Sequence, residues 1–205
     1  MGLPLIKIEV FFYSCISILQ LAFVQIFLGA LFLSLGSWIG FPLMPISGTL
    51  QLFCISVIGR ALPPLRAGVS VLLWLTAGAY GLPVLFWTQA GPFLLSGPYA
   101  GYAWGWIVAA FVMSWWNQGH QPGRKTLLQS FLLGYLIVYG LGVTRLCFLM
   151  KFSDALRCGG WGLLPFSCLE AFLAQGQNRI VRGVIKFIRA DFLKGTYENK
   201  RPHVC

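Results

Sequence analysis

Charge is scarce in this chain: Asp and Glu together number 5 of 205 residues, and charged residues of both signs make up 10%. Soluble domains carry about a quarter charged residues, so this composition excludes an ordinary soluble domain. Hydrophobic residues reach 58%, and the mean hydropathy is +0.77. The composition therefore predicts an integral protein of the lipid bilayer, organised as a single domain over residues 1–205.

Motifs of common catalytic and metal sites are also missing. The sequence shows no C-x-x-C pair, no Walker loop and no nucleophile beside a general base, and its two histidines, His120 and His203, stand apart. Its cysteines lie mostly in apolar segments, where they serve as small packing residues: Cys15, Cys54, Cys147, Cys158, Cys168 and Cys205. We therefore predict that the protein is not an enzyme and uses no metal and no cofactor.

Basic residues outnumber acidic ones and give a net charge of +10. They collect near the N-terminus, at Arg60 and Arg66, at Arg124 and Lys125, and in the tail, residues 189–205. Because Lys and Arg concentrate in cytoplasmic loops, both termini are predicted to be cytoplasmic. The basic tail is expected to meet anionic headgroups or an acidic partner. No aromatic-basic motif accompanies it, so we expect no nucleic-acid binding.

Apolar segments predict about six transmembrane helices and an all-α, multi-pass protein, since a bilayer core of about 30 Å needs about 20 apolar residues per helix. The predicted spans are Val10 to Leu35, Leu50 to Leu62, Ala67 to Tyr80, Tyr99 to Trp116, Leu127 to Leu149 and Leu163 to Ile188. The first lacks a small-residue cleavage site, so we expect it to remain as a span. Small residues every four positions predict close helix packing: Gly97, Gly101, Gly105 and Ala109.

One uncharged stretch, Ala67 to Gly123, is interrupted by the segment GLPVLFWTQAGPFLLSGP, here called the insert, from Gly81 to Pro98. Its prolines and glycines break the helix and expose backbone groups that lipid cannot satisfy. We therefore expect the insert to lie inside protein or to line a polar cavity.

Three segments opposite the basic loops supply polar groups for a pocket. They contribute Thr49 and Gln51, then Trp87 and Gln89 of the insert, then Trp161 and Glu170. A mostly apolar pocket with a few orienting polar groups is typical of a small-molecule site, and we predict that it opens to the extracellular or periplasmic side.

Each of these candidates also has a structural alternative. An interfacial belt accounts equally well for the two tryptophans, and capping of the backbone accounts equally well for Gln51. An acid within an apolar span is costly and is usually functional or paired, which makes Glu170 the strongest candidate. Its alternative is a structural ion pair with Arg145 or Arg157.

Four ordered motifs suggest a relationship to a known family. They are Pro45-x-x-x-Thr49-Leu50-Gln51, Gly78-Ala79-Tyr80-Gly81-Leu82-Pro83-Val84, Gly97-Pro98-x-x-Gly101-Tyr102 and Gly162-Leu163-Leu164-Pro165-Phe166. Together they resemble the BioY family, the biotin-binding substrate (S) components of energy-coupling-factor (ECF) transporters. The resemblance extends over roughly Gly36 to Ala174, and the ordered set is more specific than any one motif.

The resemblance implies a six-helix protein of a prokaryotic inner membrane that captures biotin from outside and carries no ATPase. In that family, transport requires a transmembrane coupling subunit and two cytosolic ATP-binding cassette subunits. The family's last helix begins with a PFxxGDxxK-like pattern whose acid and lysine face the vitamin. Here PFSCLEAFL places Glu170 at the acid and Leu173 at the lysine. Arg145, Arg157 or backbone amides of the insert are then left to meet the carboxylate of biotin.

We expect the substrate contacts to come from seven side chains: Thr49, Gln51, Trp87, Gln89, Tyr102, Trp161 and Glu170. The ureido ring of biotin is expected deep in the pocket, near Gln51, Thr49 and Glu170. Trp87 or Trp161 would stack on the ring, and the insert would close over it as a lid that excludes water.

A second surface is expected to meet the coupling subunit. The family carries a small-xxx-small motif for this contact in its first span, and Ala30 and Ser34 are its nearest counterpart here.

Three further hypotheses on the function stay open. One is a substrate component for another vitamin or cofactor precursor, which the change at Leu173 favours. Another is a membrane scaffold protein, which needs none of the polar pocket residues. The last is a biotin carrier that works without the ATPase module.

Overall fold

The computed structural model of the protein describes residues 3–41, 48–85, 91–121, 123–159 and 164–177. Four of the predicted substrate contacts lie within these ranges: Thr49, Gln51, Tyr102 and Glu170. The other three, Trp87, Gln89 and Trp161, and the basic tail lie outside the described residues.

Helices make up most of the described chain, because an apolar segment in lipid must satisfy its backbone hydrogen bonds internally. Their bounds are α1 Leu3–Trp38, α2 Gln51–Ala61, α3 Pro64–Ala79, α4 Phe93–Ser96, α5 Ala100–Gly119, α6 Arg124–Cys147, α7 Phe152–Gly159 and α8 Leu164–Gly176. The turn between α2 and α3 follows from two adjacent prolines. Pro63 cannot continue α2, and Pro64 starts α3 with a preset φ and no N–H to satisfy.

Six of these helices coincide with the six predicted spans, namely α1, α2, α3, α5, α6 and α8. The predicted end of the last span, Ile188, lies outside the described residues. Within the described ranges, two helices are long and apolar enough to cross a bilayer by length and composition, Leu19–Trp38 and Arg124–Cys147. The apolar helices α2 and α3 are shorter and fall below that length.

Shorter elements lie between these helices, and the sequence did not predict them. Strands β1 (Gly40–Phe41) and β2 (Gly48–Thr49) pair antiparallel, with Gly40 opposite Thr49. The insert, expected to break the helix, contains the single turn α4, and α7 precedes α8. In these short elements, the backbone groups of the loops form hydrogen bonds with each other. One example is the bond from Gly97 N–H to Phe93 O at 2.7 Å.

Helix α5 packs against α2, α3 and α6 and forms the centre of the bundle. Its buried residues Ala103, Ala109, Ala110 and Met113 belong to the hydrophobic core. Gly101 and Gly105 face α6 closely, and this confirms the close packing predicted from the small-residue repeat.

Hydrogen bonds bring the end of α1, the start of α2, the end of α7 and the described parts of the insert to one end of the bundle, called here the insert end. Hydrogen bonds between distant segments mark this end, among them Trp38 Nε1 to Pro83 O at 3.0 Å. The α2–α3 turn lies at the other end, where Ser114 Oγ donates to Leu62 O at 2.6 Å. The described parts of the predicted pocket segments, with Thr49, Gln51 and Glu170, thus lie at the insert end.

Candidate functional site

Glu170 of α8 is buried, with 3% of its surface exposed. Its Oε1 accepts a hydrogen bond from the backbone N–H of Phe53 at 3.0 Å. Phe53 lies in the first turn of α2, where N–H groups have no partner within the helix, and the residue before α2, Leu50, supplies no side-chain cap. A hydrogen-bond acceptor at this position satisfies one of those unpaired N–H groups. Glu170 therefore caps α2 from another helix.

Thr49 and Gln51 flank the same helix end and are held against the end of α1. Gln51 Nε2 donates to Ser37 Oγ at 3.0 Å, and both residues are buried. Thr49 lies in the short strand pair, and the next N–H, that of Leu50, donates to Ile39 O at 3.1 Å. Since α1 and α8 reach the same first turn of α2, Thr49, Gln51 and Glu170 surround one helix end.

The buried side of α8 carries further polar groups. Ser167 Oγ lies 3.0 Å from the hydroxyl of Tyr139 on α6. Gln177, just after the last turn and 1% exposed, accepts at Oε1 from Ser56 Oγ of α2 at 3.0 Å. Polar side chains therefore connect α8 to both α2 and α6 in a region that is otherwise apolar.

Tyr102 is held at the centre of an aromatic cluster. It is 6% exposed, and its hydroxyl donates to Gly159 O at the end of α7, at 2.9 Å. Its ring meets Tyr139 edge-on, with centroids 6.0 Å apart, and Tyr139 stacks on Tyr135 at 4.1 Å. An added Cβ at Gly142 would overlap the ring of Tyr102, so the absence of a side chain there makes room for it.

Both described ends of the insert are bonded to helices. Trp74 of α3, 1% exposed, donates from Nε1 to Val84 O at 3.0 Å, next to the bond that Trp38 makes with Pro83. At the other end, Arg145 of α6 donates from Nη2 to Ser96 O at 2.8 Å and from Nε to Gly97 O at 3.4 Å. The two ends of the predicted lid are thus fixed to α1, α3 and α6.

Arg145 and Leu173 bear on how a ligand carboxylate would be held. Arg145 bonds the insert backbone and not Glu170, so an ion pair between Arg145 and Glu170 has no support in this geometry. Leu173 is 39% exposed and follows Glu170 by nearly one turn. Its side chain has no charge to offer, whereas the Arg145 guanidinium is a permanent cation at the insert end.

The two residues of α1 that are predicted to dock the coupling subunit, Ala30 and Ser34, differ in their exposure. Ala30 is 8% exposed and packs into the hydrophobic core, so it offers little surface to a partner. Ser34 is half-buried, and its hydroxyl donates to Ala30 O at 2.9 Å. The docking role of this pair stays a prediction.

Several residues of this region were missed by sequence reasoning: Trp38, Trp74, Ser37, Tyr139 and Gln177. Trp74 and Trp38 are anchors of the insert, although tryptophans in spans usually indicate only an interfacial belt. A signal for Gln177 was present, because an amide two turns after Glu170 falls on the same helix face. Over the ranges that the structure describes, no group of three His, Cys, Asp or Glu side chains is arranged to hold a metal ion.

A sequence profile for one family matches most of the chain: the BioY family profile aligns with residues 14–194. The chain belongs to the BioY family. The resemblance inferred from the four motifs is therefore confirmed. Proteins similar to this BioY-family chain are named as biotin transporters. The biotin transporter BioY of Thermotoga maritima is 33% identical over 131 residues, which cover 64% of this chain and 76% of the relative. The probable biotin transporter BioY of Pyrococcus horikoshii is 31% identical over 145 residues, covering 69% and 84%.

The BioY-family fold is also seen in a solved structure. The crystal structure of the S-component for biotin from an ECF-type ABC transporter superposes with a TM-score of 0.66 at 26% sequence identity. The match covers 82% of this chain and 92% of that one. The helical fold described above is therefore an S-component fold.

Proposed function

We propose that this protein is the biotin-binding component of an ECF-type vitamin uptake transporter and that it is a carrier, not an enzyme. The observation that carries the proposal is the buried carboxylate of Glu170 at the start of α2. It stands where the family places its ligand-facing acid, in a chain whose relatives are named as biotin transporters. Burying an acid in an apolar helix is costly, so its retention indicates a function.

Biotin occupies the insert end of the bundle in this proposal. Glu170 keeps its bond from the N–H of Phe53 and offers a remaining acceptor position of its carboxyl group to a ureido N–H of the ligand, since a carboxyl group has several such positions. Gln51 and Thr49 border the same helix end. Tyr102 contributes from the α5 side, Trp87 or Trp161 stacks on the ring, and Gln89 completes the contacts.

The carboxylate of biotin needs a partner other than the family lysine, which Leu173 replaces. Arg145 is the group we assign, because its guanidinium already lies at the insert end and has five N–H donors, of which the insert carbonyls use two.

Topology and partners follow from the same proposal. The insert end faces the extracellular or periplasmic side, the six predicted spans cross a prokaryotic inner membrane, and both termini are cytoplasmic. A transmembrane coupling subunit and two ATP-binding cassette subunits supply the energy for transport. The docking surface for that module includes half-buried Ser34 of α1, and Ala30, one turn earlier and buried in the core, supports this face from within.

Equilibrium binding of radiolabelled biotin to the purified protein in detergent tests the proposal. Unlabelled biotin, thiamine and riboflavin serve as competitors. We expect saturable binding that is displaced by biotin alone, and Arg145→Ala should weaken it while Arg157→Ala, a change of the same type on exposed α7, should not. Absence of binding by protein with a cooperative thermal transition would contradict the assignment.

A second candidate is a substrate component for another vitamin or cofactor precursor. The apolar, partly exposed side chain at Leu173 favours it, because that position lacks the cation expected opposite a carboxylate ligand. Displacement of a labelled ligand by thiamine or riboflavin, and not by biotin, would select this candidate.

A further inference from the structure

The backbone N–H and C=O of Phe53 in α2 both take part in hydrogen bonds that connect α2 with α8 and the residue after it. Its N–H donates to Glu170 Oε1 at 3.0 Å. Its carbonyl oxygen accepts from Ser56 Oγ at 2.7 Å, and the same hydroxyl lies 3.0 Å from Gln177 Oε1. A hydroxyl has one proton, so Ser56 shares it between the Phe53 carbonyl and the Gln177 amide. Glu170 of α8 and Gln177 just after it therefore bond two nearby residues of α2, Phe53 and Ser56.

These two contacts are separated along α8 by seven residues, or about 10 Å of helix rise. Residue Ala174 between them is 2% exposed, so the face from Glu170 to Gln177 is buried throughout. Gln175, two residues before Gln177, is exposed instead. Gln177 therefore contacts α2 from the same side of α8 as Glu170 and lies well away from it along the axis.

Apolar packing alone defines the axial position of a helix in lipid weakly, because lipid chains are as apolar as the helices themselves. A slide of α8 by one residue would move Glu170 by about 1.5 Å and turn it by about 100°. Such a slide would break both polar contacts and leave buried polar groups without partners, which is unfavourable. Single buried polar side chains define helix register in coiled coils by the same effect.

We infer that Gln177 is a positioning residue: by bonding Ser56, it holds α8 in the register that places the Glu170 carboxylate at the first turn of α2, and ligand affinity depends on it without contact to the ligand. This inference rests on the proposed function only in assigning the ligand contact to Glu170. The register itself does not depend on what the ligand is.

The first test compares Gln177→Leu with the matched control Gln175→Leu, both reconstituted in lipid. We expect Gln177→Leu to weaken biotin affinity about fivefold to tenfold, chiefly through faster dissociation, since it removes one buried hydrogen bond. The control is expected to bind within about twofold of the parent, because its side chain is exposed. Parental affinity in folded Gln177→Leu would overturn the inference.

A double variant separates positioning from general destabilisation. In a Glu170→Ala background, Gln177→Leu should reduce affinity no further, because the carboxylate that it positions is gone, yet it should still lower the melting temperature. If the two losses in affinity multiply, Gln177 does not act through Glu170 and the inference fails.

A ligand-free measurement reads the register directly. Cys168 of α8 is exposed, and its labelling by a maleimide can be followed by peptide-resolved mass spectrometry. We expect slower labelling of Cys168 in Gln177→Leu than in Gln175→Leu, since a slide turns this thiol away from its exposed position. Should the parent bind no biotin, the proposed function fails alone; should the labelling rates be equal, the register inference fails alone.

Discussion

Two helix interfaces of this protein are built in opposite ways. Helices α5 and α6 approach through glycines: Gly101 and Gly105 of α5 face α6, and a Cβ added at Gly105 would lie 2.9 Å from Val138 Cα. Helices α2 and α8 meet through hydrogen bonds of Glu170, Ser56 and Gln177. The first interface depends on the absence of side chains, and the second depends on particular polar atoms.

The difference separates an apolar, closely packed interface from a polar one. Close backbone approach maximises dispersion contacts between the two helices. Buried polar groups are costly to insert in lipid, and here they surround the helix end where we propose that the ligand binds. The two interfaces should therefore fail differently, the first when atoms are added and the second when they are removed.

The largest effect is expected from adding one methyl group at the glycine interface. In Gly101→Ala, the new Cβ would overlap the backbone oxygen of Leu141 and the Cβ of Arg145, so the helices must move apart. We expect the free energy of unfolding to fall by about 3 kcal/mol, measured by thermal or denaturant unfolding in detergent. Gly140→Ala is the control, because its added Cβ meets no described atom within 4 Å. Equal stability of the two variants would contradict the close-packing account.

At the polar interface, Glu170→Ala removes the acceptor for the N–H of Phe53. The unpaired buried donor should lower the free energy of unfolding by about 2 kcal/mol. Biotin affinity should fall at least tenfold. Glu170→Gln keeps an oxygen acceptor and should preserve most of the free energy of unfolding, while still lowering the affinity for biotin. A melting temperature of Glu170→Ala equal to that of the parent would mean that the cap contributes nothing.

Tyr102 lies at the α5–α6 interface and also bonds α7, and Tyr102→Phe removes the hydroxyl that donates to Gly159 O while keeping the ring. We expect a loss of about 1 kcal/mol in the free energy of unfolding, because buried side-chain hydrogen bonds between membrane helices are modest. Gly142→Ala, which would displace the ring itself, should cost more. Both variants are unfolded under the same condition and their free energies of unfolding are compared. A larger loss in Tyr102→Phe than in Gly142→Ala would show that the space Gly142 leaves for the ring is unimportant.

The smallest effect is expected at Gly68 of α3, which faces α5 at a position where a Cβ would fit. An added Cβ would lie 3.8 Å from Phe111 Cβ and 3.9 Å from Ile107 O, both ordinary contacts. Gly68→Ala should therefore leave stability unchanged or raise it by up to about 1 kcal/mol, because alanine favours the helix. A marked loss would show that glycine is required at interfaces generally, and not only where backbones nearly touch.

Much of the fold was predictable from particular residues. The positions of α2 and α3 followed from their apolar segments and from the prolines between them, and the repeat of Gly101 and Gly105 predicted a close contact. The elements α4, α7 and the strand pair were not predicted, because segments of two to eight residues lack a periodic apolar pattern. Of the site, Glu170, Gln51 and Thr49 were predicted to border one pocket, and the structure places them around the start of α2; their contact with a ligand stays a prediction.

By itself, the sequence determined that this is a helical membrane protein of the BioY family, because hydropathy, helix-breaking residues and short ordered motifs are local properties of the chain. Only the tertiary structure decided which atoms meet. That Glu170 caps α2, that Gln177 reaches Ser56, and that Trp74 holds the insert at Val84 all depend on contacts between segments distant in sequence. Such contacts arise from helix directions and rotations, which no local pattern specifies, and so the bundle had to be assembled before its polar partners could be named.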